Sequence, residues 1–137
     1  MPDSPSRLLR EFHEYVGASI RSTPTVPAEG AKLRCDFIEE EAAELRSAVE
    51  RGDVTGVADA LGDLAYVVYG AALHFGIDLD AVVAEVHRSN MTKTPAGNGK
   101  AVKGPGYRSP ELRELVTRHC PETEVLTSPT SPTLNDE

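Results

Sequence analysis

Apolar residues recur every three or four positions over most of residues 8–93, which is the period of an amphipathic helix and not of a strand. Glycines and aspartates stand where the pattern breaks, and these residues favour helix ends. No strand-like alternation appears, so the sequence predicts an all-α fold. The predicted helices are a first one that fades near Gly17, a second over about residues 31–51 that closes at Gly52, a third over 54–75 that ends at Gly76, and a fourth from Asp78 or Asp80 to about Lys93.

The pattern changes after the fourth helix. Residues 94–110, TPAGNGKAVKGPGYRSP, are rich in Gly and Pro and predict a long loop, and such loops in compact domains are usually functional or disordered. A short helix is predicted over residues 111–119. Residues 120–137 have the polar, Pro-, Ser- and Thr-rich composition of a disordered tail. We therefore expect one domain over residues 1–119, followed by this tail.

The third predicted helix is apolar on nearly every side, and Asp59 and Asp63 are its only charged residues. A helix of this kind is expected to be central and buried, and both aspartates with it. The remaining helices of so small a chain cannot cover it alone. We therefore expect a helical bundle that is completed by oligomerisation, as a homodimer or homotetramer.

Charge and cysteine content narrow the class of protein. The 137 residues carry a formal net charge of −8 at pH 7, which disfavours binding to a nucleic-acid backbone. Cys35 and Cys120 lack the CxxC spacing of a zinc site and are expected to be reduced thiols. The longest nearly apolar run, Leu64–Leu73, is too short to span a bilayer, and no signal sequence is recognised. We expect a cytoplasmic protein that contacts neither membranes nor nucleic acid.

Several acidic side chains fall where the helices should be apolar. On a helical wheel of about 100° per residue, Glu41 and Glu44 lie inside the apolar arc of the second helix and Glu40 at its edge. Asp59 and Asp63 share one stripe of the third helix, one turn apart. Ionised carboxylates in such places must be protonated, paired with cations or bound to metal, because burying them alone costs too much free energy.

Two explanations for these acids remain open. Salt bridges to Arg34 or Arg46 would neutralise one or two of them, but the set has more acids than nearby cations. Ligands that are all oxygen, without Cys or His, favour a hard cation, Mg²⁺ or Mn²⁺.

A di-iron carboxylate site would need Glu-x-x-His pairs, and the sequence contains none. His74, on the Asp59/Asp63 stripe, is interpreted as a hydrogen-bonded core histidine.

The cations are concentrated in one segment. Residues 86–110 contain no acid but five basic residues, which favours a polyphosphate partner, although a solvated basic loop is the alternative for most of them. Asn90 and Lys93 continue the inward stripe of the fourth helix and are expected to point toward the acids. A structural ion pair is the alternative for Lys93. The five are Arg88, Lys93, Lys100, Lys103 and Arg108.

Three segments carry a family resemblance: EEEAAEL, DALGDLAYVVYG and EVHRSNMTK, which together cover residues 39–93. They resemble the MazG-like all-α nucleoside triphosphate pyrophosphohydrolases. FHEYVG and KGPGY make the chain similar to the small branch that resembles dimeric dUTPases. The resemblance implies a bundle of two or more subunits, Mg²⁺ held by an ExxE pair and an ExxD pair, and cleavage of an NTP or dNTP to the NMP and pyrophosphate.

The family pattern transfers residue by residue, with one departure. Glu41 and Glu44 match the first pair and Asp63 the last acid, but Ala60 stands where the second pair has Glu. Asp59 is the candidate replacement. The expected metal ligands are Glu40, Glu41, Glu44, Asp59 and Asp63. Glu40 is also expected to orient the attacking water, and the expected phosphate-binding residues are Asn90, Lys93, Lys103 and Tyr107.

A non-catalytic function remains an alternative, because Ala60 stands where the family pattern has a metal-binding Glu. A non-catalytic helical dimerisation or adaptor module would use the same acids only to bind a structural ion or a basic partner. Screening nucleotides for pyrophosphate release distinguishes the two.

Overall fold

The computed structural model describes residues 3–117 and confirms the all-α prediction, with one small hairpin added. The tail predicted over residues 120–137, and residues 118–119 of the predicted short helix, lie outside the described residues. The elements are α1 (Pro5–Val16), α2 (Ala31–Glu50), α3 (Val54–Phe75), α4 (Leu79–Asn90), β1 (Thr94–Gly97) and β2 (Lys100–Val102).

Local chemistry explains why α3 and α4 begin where they do. Asp53 accepts a hydrogen bond from the Gly56 amide at 2.9 Å, and Asp78 accepts one from Ala81 at 3.2 Å, so each carboxylate satisfies a free N–H of the first turn. Gly52 and Gly76 follow α2 and α3 with φ of 64° and 69°. A left-handed conformation costs glycine little, and this is how both helices end.

α2 and α3 form an antiparallel pair around which the rest is arranged. The short connection after α2 places Asp53 against Ala48, while at the other end Gly30 lies beside His74. α1 packs on α3 as well, with the Phe12 ring edge-on to the Tyr66 ring at a centroid separation of 5.4 Å. Residues far apart in sequence on α2 and α3 therefore face each other at fixed heights.

α3 is buried mainly over its second half. Its buried residues are Ala60, Gly70, Ala71, Ala72 and His74, whereas Val54 and Leu61 are 80% and 50% exposed. The expectation that Asp59 and Asp63 are buried is wrong for the single chain, because α2 covers only one side of this half of α3 and neither aspartate is buried by it. With 22 residues, α3 is also long and apolar enough, by length and composition alone, to cross a membrane. Core helices of soluble bundles share that property.

Two other expectations needed correction. Part of the loop predicted over residues 94–110 is a hairpin, in which β1 pairs antiparallel with β2 through a turn where Gly97, Asn98 and Gly99 all have positive φ. Its strands have four and three residues and are exposed throughout, so no alternation of buried and exposed positions marks them in the sequence. α4 ends at Asn90, and residues 91–93 form turns instead of continuing the helix to Lys93.

The short helix predicted from residue 111 is also wrong for the described residues, which form turns over 113–117. The Glu111 amide donates to Glu85 Oε1 at 2.9 Å, which fixes this segment to α4 by a tertiary contact. Glu85 also pairs with Arg88 at 2.7 Å, and the Arg88 hydrogen bonds, together with that amide, lower the pKa of Glu85 to about 2. Arg88 is thereby neutralised and is not among the cations available to a phosphate.

Candidate metal centre

Three carboxylates from α2 and α3 meet in one place. One oxygen each from Glu41, Glu44 and Asp63 lies within 4.8 Å of the other two. The three-residue spacing puts Glu41 and Glu44 on the same face of α2. The antiparallel α3 brings Asp63 to the same height. Sequence spacing thus anticipated the pair, and helix packing supplies the third acid.

The electrostatics of this cluster centre on Glu41. Its Oε2 is buried and has no hydrogen-bond partner. Burial raises the pKa of Glu41, and the nearby carboxylates of Glu44 and Asp63 raise it further. A carboxylate in this position is costly to ionise unless a cation joins it.

No side-chain cation supplies that charge within residues 3–117. Arg34 lies over the Phe37 ring, 5.8 Å from its centroid, and neither Arg34 nor Arg46 forms an ion pair in this range. The salt-bridge explanation of the acids therefore fails for the two arginines that it named. Three converging carboxylates with one orphaned, buried oxygen fit a hard divalent cation, which takes oxygen ligands.

The other acids expected at the metal lie outside this group. Glu40 is exposed, although its charge also raises the pKa of Glu41. Asp59 is exposed and does not share the three-carboxylate cluster. Ala60, where the family pattern has Glu, is 3% exposed. The single chain therefore brings together three of the five expected ligands.

The expected phosphate-binding residues are not joined to the carboxylates in the single chain. Asn90 is exposed at the end of α4 and Lys93 is half-buried. Neither side chain makes an ion pair or hydrogen bond with an acid within the described residues. Lys103 Nζ lies 5.2 Å from the centre of the Tyr107 ring, a cation–π contact that pairs two of the expected residues.

A second polar cluster, at the start of α2 and the end of α3, was missed apart from its core histidine. His74 is 5% exposed, its Nε2–H donates to the Glu29 carbonyl at 3.1 Å, and its Nδ1 contacts the Ser19 hydroxyl, which confirms the core assignment. Arg21 donates to the His74 carbonyl at 2.7 Å, and the His13 Nδ1–H donates to the Ser19 carbonyl at 2.9 Å. The contacts of His74 with Ser19 and Arg21 join residues more than fifty positions apart, and no local sequence signal marks them.

Comparison with known proteins assigns the sequence of this chain to a family. The profile of the phosphoribosyl-ATP pyrophosphohydrolases matches residues 9–90, which include Glu41, Glu44 and Asp63. The chain belongs to this family. The family lies within the MazG-like all-α nucleoside triphosphate pyrophosphohydrolases, so the resemblance drawn from the three sequence segments is confirmed. Its members are pyrophosphohydrolases that act on a nucleotide.

A viral relative shares part of the chain. It is an uncharacterized protein, L479, of Acanthamoeba polyphaga mimivirus, 51% identical over 49 residues. The match covers 36% of this chain and 20% of the viral protein. This chain therefore spans only about a fifth of that relative.

Replacing Glu41 by Gln should raise the melting temperature of the metal-free protein at about pH 7.5. The folded-state pKa of Glu41 is raised above its ordinary value of 4.5. The stability of the folded protein is therefore unaffected by Glu41 below pH 4.5 and falls as pH rises through the folded pKa, because the ionised carboxylate is unfavourable in the cluster. Mg²⁺ should raise the melting temperature of the wild type and have little effect on the variant.

Glu39→Gln is the matched control, because Glu39 is exposed on the same helix and outside the cluster. It should change neither the metal-free melt nor the response to Mg²⁺. A Glu41→Gln protein that melts lower without metal, or that gains as much from Mg²⁺ as the wild type, contradicts the assignment of the cluster.

Proposed function

We propose that this protein is a Mg²⁺-dependent pyrophosphohydrolase that cleaves a nucleoside or deoxynucleoside triphosphate to the monophosphate and pyrophosphate. The observation that carries the proposal is the three-carboxylate cluster, which lacks a cation partner among the described residues and lies inside the region matched by a pyrophosphohydrolase family. Mn²⁺ is the alternative metal, since it also takes oxygen ligands. A cytoplasmic location is part of the proposal, because Cys35 is a free, exposed thiol.

The residues of the chain divide into three roles. Glu41, Glu44 and Asp63 hold the metal ion, which when bound supplies Lewis acidity that stabilises charge on the triphosphate and makes water more acidic. Glu40, exposed beside the cluster, accepts a proton from the attacking water and orients it. Asn90, Lys93, Lys103 and Tyr107 bind the departing pyrophosphate, a role supported by the acid-free basic segment, residues 86–110, to which all four belong.

One observation favours a second candidate function. The buried Ala60 stands where the family pattern has a metal-binding Glu, and a site with fewer ligands could serve a structural ion alone. In that case the protein is a helical adaptor module without turnover. The nucleotide screen below separates the two functions.

Purified protein with Mg²⁺ should release pyrophosphate from at least one member of a panel of NTPs, dNTPs and phosphoribosyl-ATP. Glu44→Gln should reduce kcat/KM by more than about 100-fold, because the loss of an outer partner of a metal ligand already costs about 10–100-fold. Glu39→Gln should keep wild-type activity. Absence of pyrophosphate from every nucleotide, with Mg²⁺ binding intact, would favour the adaptor module.

The Asp59→Asn and Asp63→Asn variants should behave alike if Asp59 replaces the missing Glu. Both Asp59→Asn and Asp63→Asn should then shift the Mg²⁺ titration of activity to higher concentration by a similar factor. If Asp59 is structural, its variant should have a lower melting temperature and an unchanged Mg²⁺ response. That second outcome would leave Glu41, Glu44 and Asp63 as the ligands contributed by the chain.

We expect the protein to assemble as a homodimer or homotetramer through the uncovered apolar surface of α3 and its neighbours. Four apolar side chains of this surface are exposed: Leu61 and Val83 by 50% each, Phe12 by 41% and Val54 by 80%. Contact of so much apolar surface with water is unfavourable, and a second subunit would remove it. Light scattering should give at least twice the chain mass of 14.7 kDa. Leu61→Asp should lower that mass, whereas Val26→Asp, in the loop before α2, should not. A monomeric wild type at micromolar concentration would contradict this assembly.

A further inference from the structure

An open groove with aromatic walls lies where α1 packs on α3. Its volume is about 670 Å³, which is within the range of small-molecule sites. The side chains that give it an apolar lining are Leu8, Phe12, Tyr15 and Tyr66. They are 43%, 41%, 86% and 38% exposed, so a ligand from solvent can reach these rings.

The rings of this groove leave faces free for a flat ligand. The Phe12 ring stands edge-on to the Tyr66 ring, with 5.4 Å between their centroids and 61° between their planes. An edge-on contact occupies one face of one ring, so the other faces remain available for stacking. Tyr15 follows Phe12 by three residues and lies on the same side of α1, where it can cover a ligand that stacks on Tyr66.

Two acidic side chains, Glu11 and Glu14, complete the lining of the groove. Both are exposed, and neither forms an ion pair or a hydrogen bond within residues 3–117. Their charges disfavour a phosphate in the groove, because like charges repel. An ionised carboxylate only accepts hydrogen bonds, so the pair favours a ligand whose edge carries N–H donors.

The groove adjoins the metal centre through α3. Tyr66 follows Asp63 by three residues, so the two side chains are neighbours on the surface of that helix, with about 5–6 Å between their Cβ atoms. A nucleotide whose phosphates are bound at the three-carboxylate cluster can therefore place its base against Tyr66. An aromatic base with an amino group matches both the rings and the acids of the groove.

From this arrangement we propose that the groove binds the base of the nucleotide and prefers bases that carry an exocyclic amino group. The base stacks on Tyr66 and Tyr15, a contact that the flat face of any base can make. Glu11 or Glu14 accepts from the amino group, as carboxylates accept from N4 of cytosine. Uracil has no such group, and two carbonyl oxygens flank its ring N–H. This inference rests on the proposed function for its nucleotide and adds the base specificity of the site.

A second copy of the chain is the competing occupant, because Phe12 also belongs to the exposed apolar surface that assembly should cover. An apolar helix of another subunit would remove Glu11 and Glu14 from water without supplying donors, which costs free energy. A base with an amino group supplies a donor to this pair. Leu61 and Val83 remain exposed for assembly when a base covers Phe12.

The first test compares nucleotides that differ in the amino group. Wild-type protein should hydrolyse GTP with a kcat/KM about 10-fold or more above that of ITP, which lacks only the amino group at C2 of the purine, and CTP should exceed UTP in the same way. The double variant Glu11→Gln with Glu14→Gln should bring both ratios close to one, because Gln donates as well as accepts. Glu39→Gln is the matched control, exposed on α2 outside the groove, and should keep both ratios.

Calorimetry with GMP and IMP separates this inference from the proposed function, because neither ligand carries a triphosphate to cleave. Wild-type protein should bind GMP more tightly than IMP. Tyr66→Ala should weaken the binding of both by about 10-fold, whereas Tyr66→Phe keeps the ring and should bind as the wild type does. Thermal melts confirm that each variant is folded.

The outcomes distinguish the two proposals and the two occupants. Selective binding of GMP without hydrolysis of any nucleotide would refute the proposed function and support base recognition. Hydrolysis with equal kcat/KM for GTP and ITP, or GMP affinity unchanged in Tyr66→Ala, would overturn the inference. A Tyr15→Ala protein of lower mass in light scattering, with unchanged GMP affinity, would assign the groove to a second subunit and also overturn it.

Discussion

Repulsion among Glu41, Glu44 and Asp63 is the interaction on which the rest of this structure depends. The three side chains approach within 4.8 Å, one Glu41 oxygen is buried without a partner, and no lysine or arginine of residues 3–117 pairs with them. A fold that only needed stability would replace such a group by apolar residues, because unpaired charges in a partly buried place cost free energy. A bound cation would offset the electrostatic cost of keeping three carboxylates together, and the proposed hydrolysis depends on that cation.

The antiparallel pairing of α2 and α3 makes this cluster possible. Asp53 caps α3 close to Ala48, and Gly30 meets His74 at the opposite end, so the two helices are in register over their length. Asp63 reaches the height of Glu41 because of that register. On α2, the half-buried Arg34 precedes Glu41 of the acidic centre by seven residues, which is two helical turns.

The local features of the fold were predictable, and the long-range ones were not. α3 has the predicted bounds, Val54–Phe75, because a capping Asp and a terminal Gly act within a few residues. Glu41 and Glu44 followed from helical spacing in the same way. The hairpin at residues 94–102 has no buried face, so its sequence shows no alternation of apolar and polar residues. The position of Glu111 is fixed by a hydrogen bond to Glu85, twenty-six residues earlier in the chain. The His13–Ser19–His74 contacts depend likewise on how distant segments pack.

The exposed face of the first half of α3 connects assembly with the metal centre. Leu61 lies between Asp59 and Asp63 in sequence and is half exposed, so any surface that covers this part of α3 also comes close to the acids. Excluding water there would raise the cost of ionising Glu41 and strengthen its attraction to a divalent ion. A cation at the cluster would in turn lower the free energy of bringing a second apolar surface over it. Metal binding and subunit association are therefore expected to reinforce each other, since each removes part of the cost of the other.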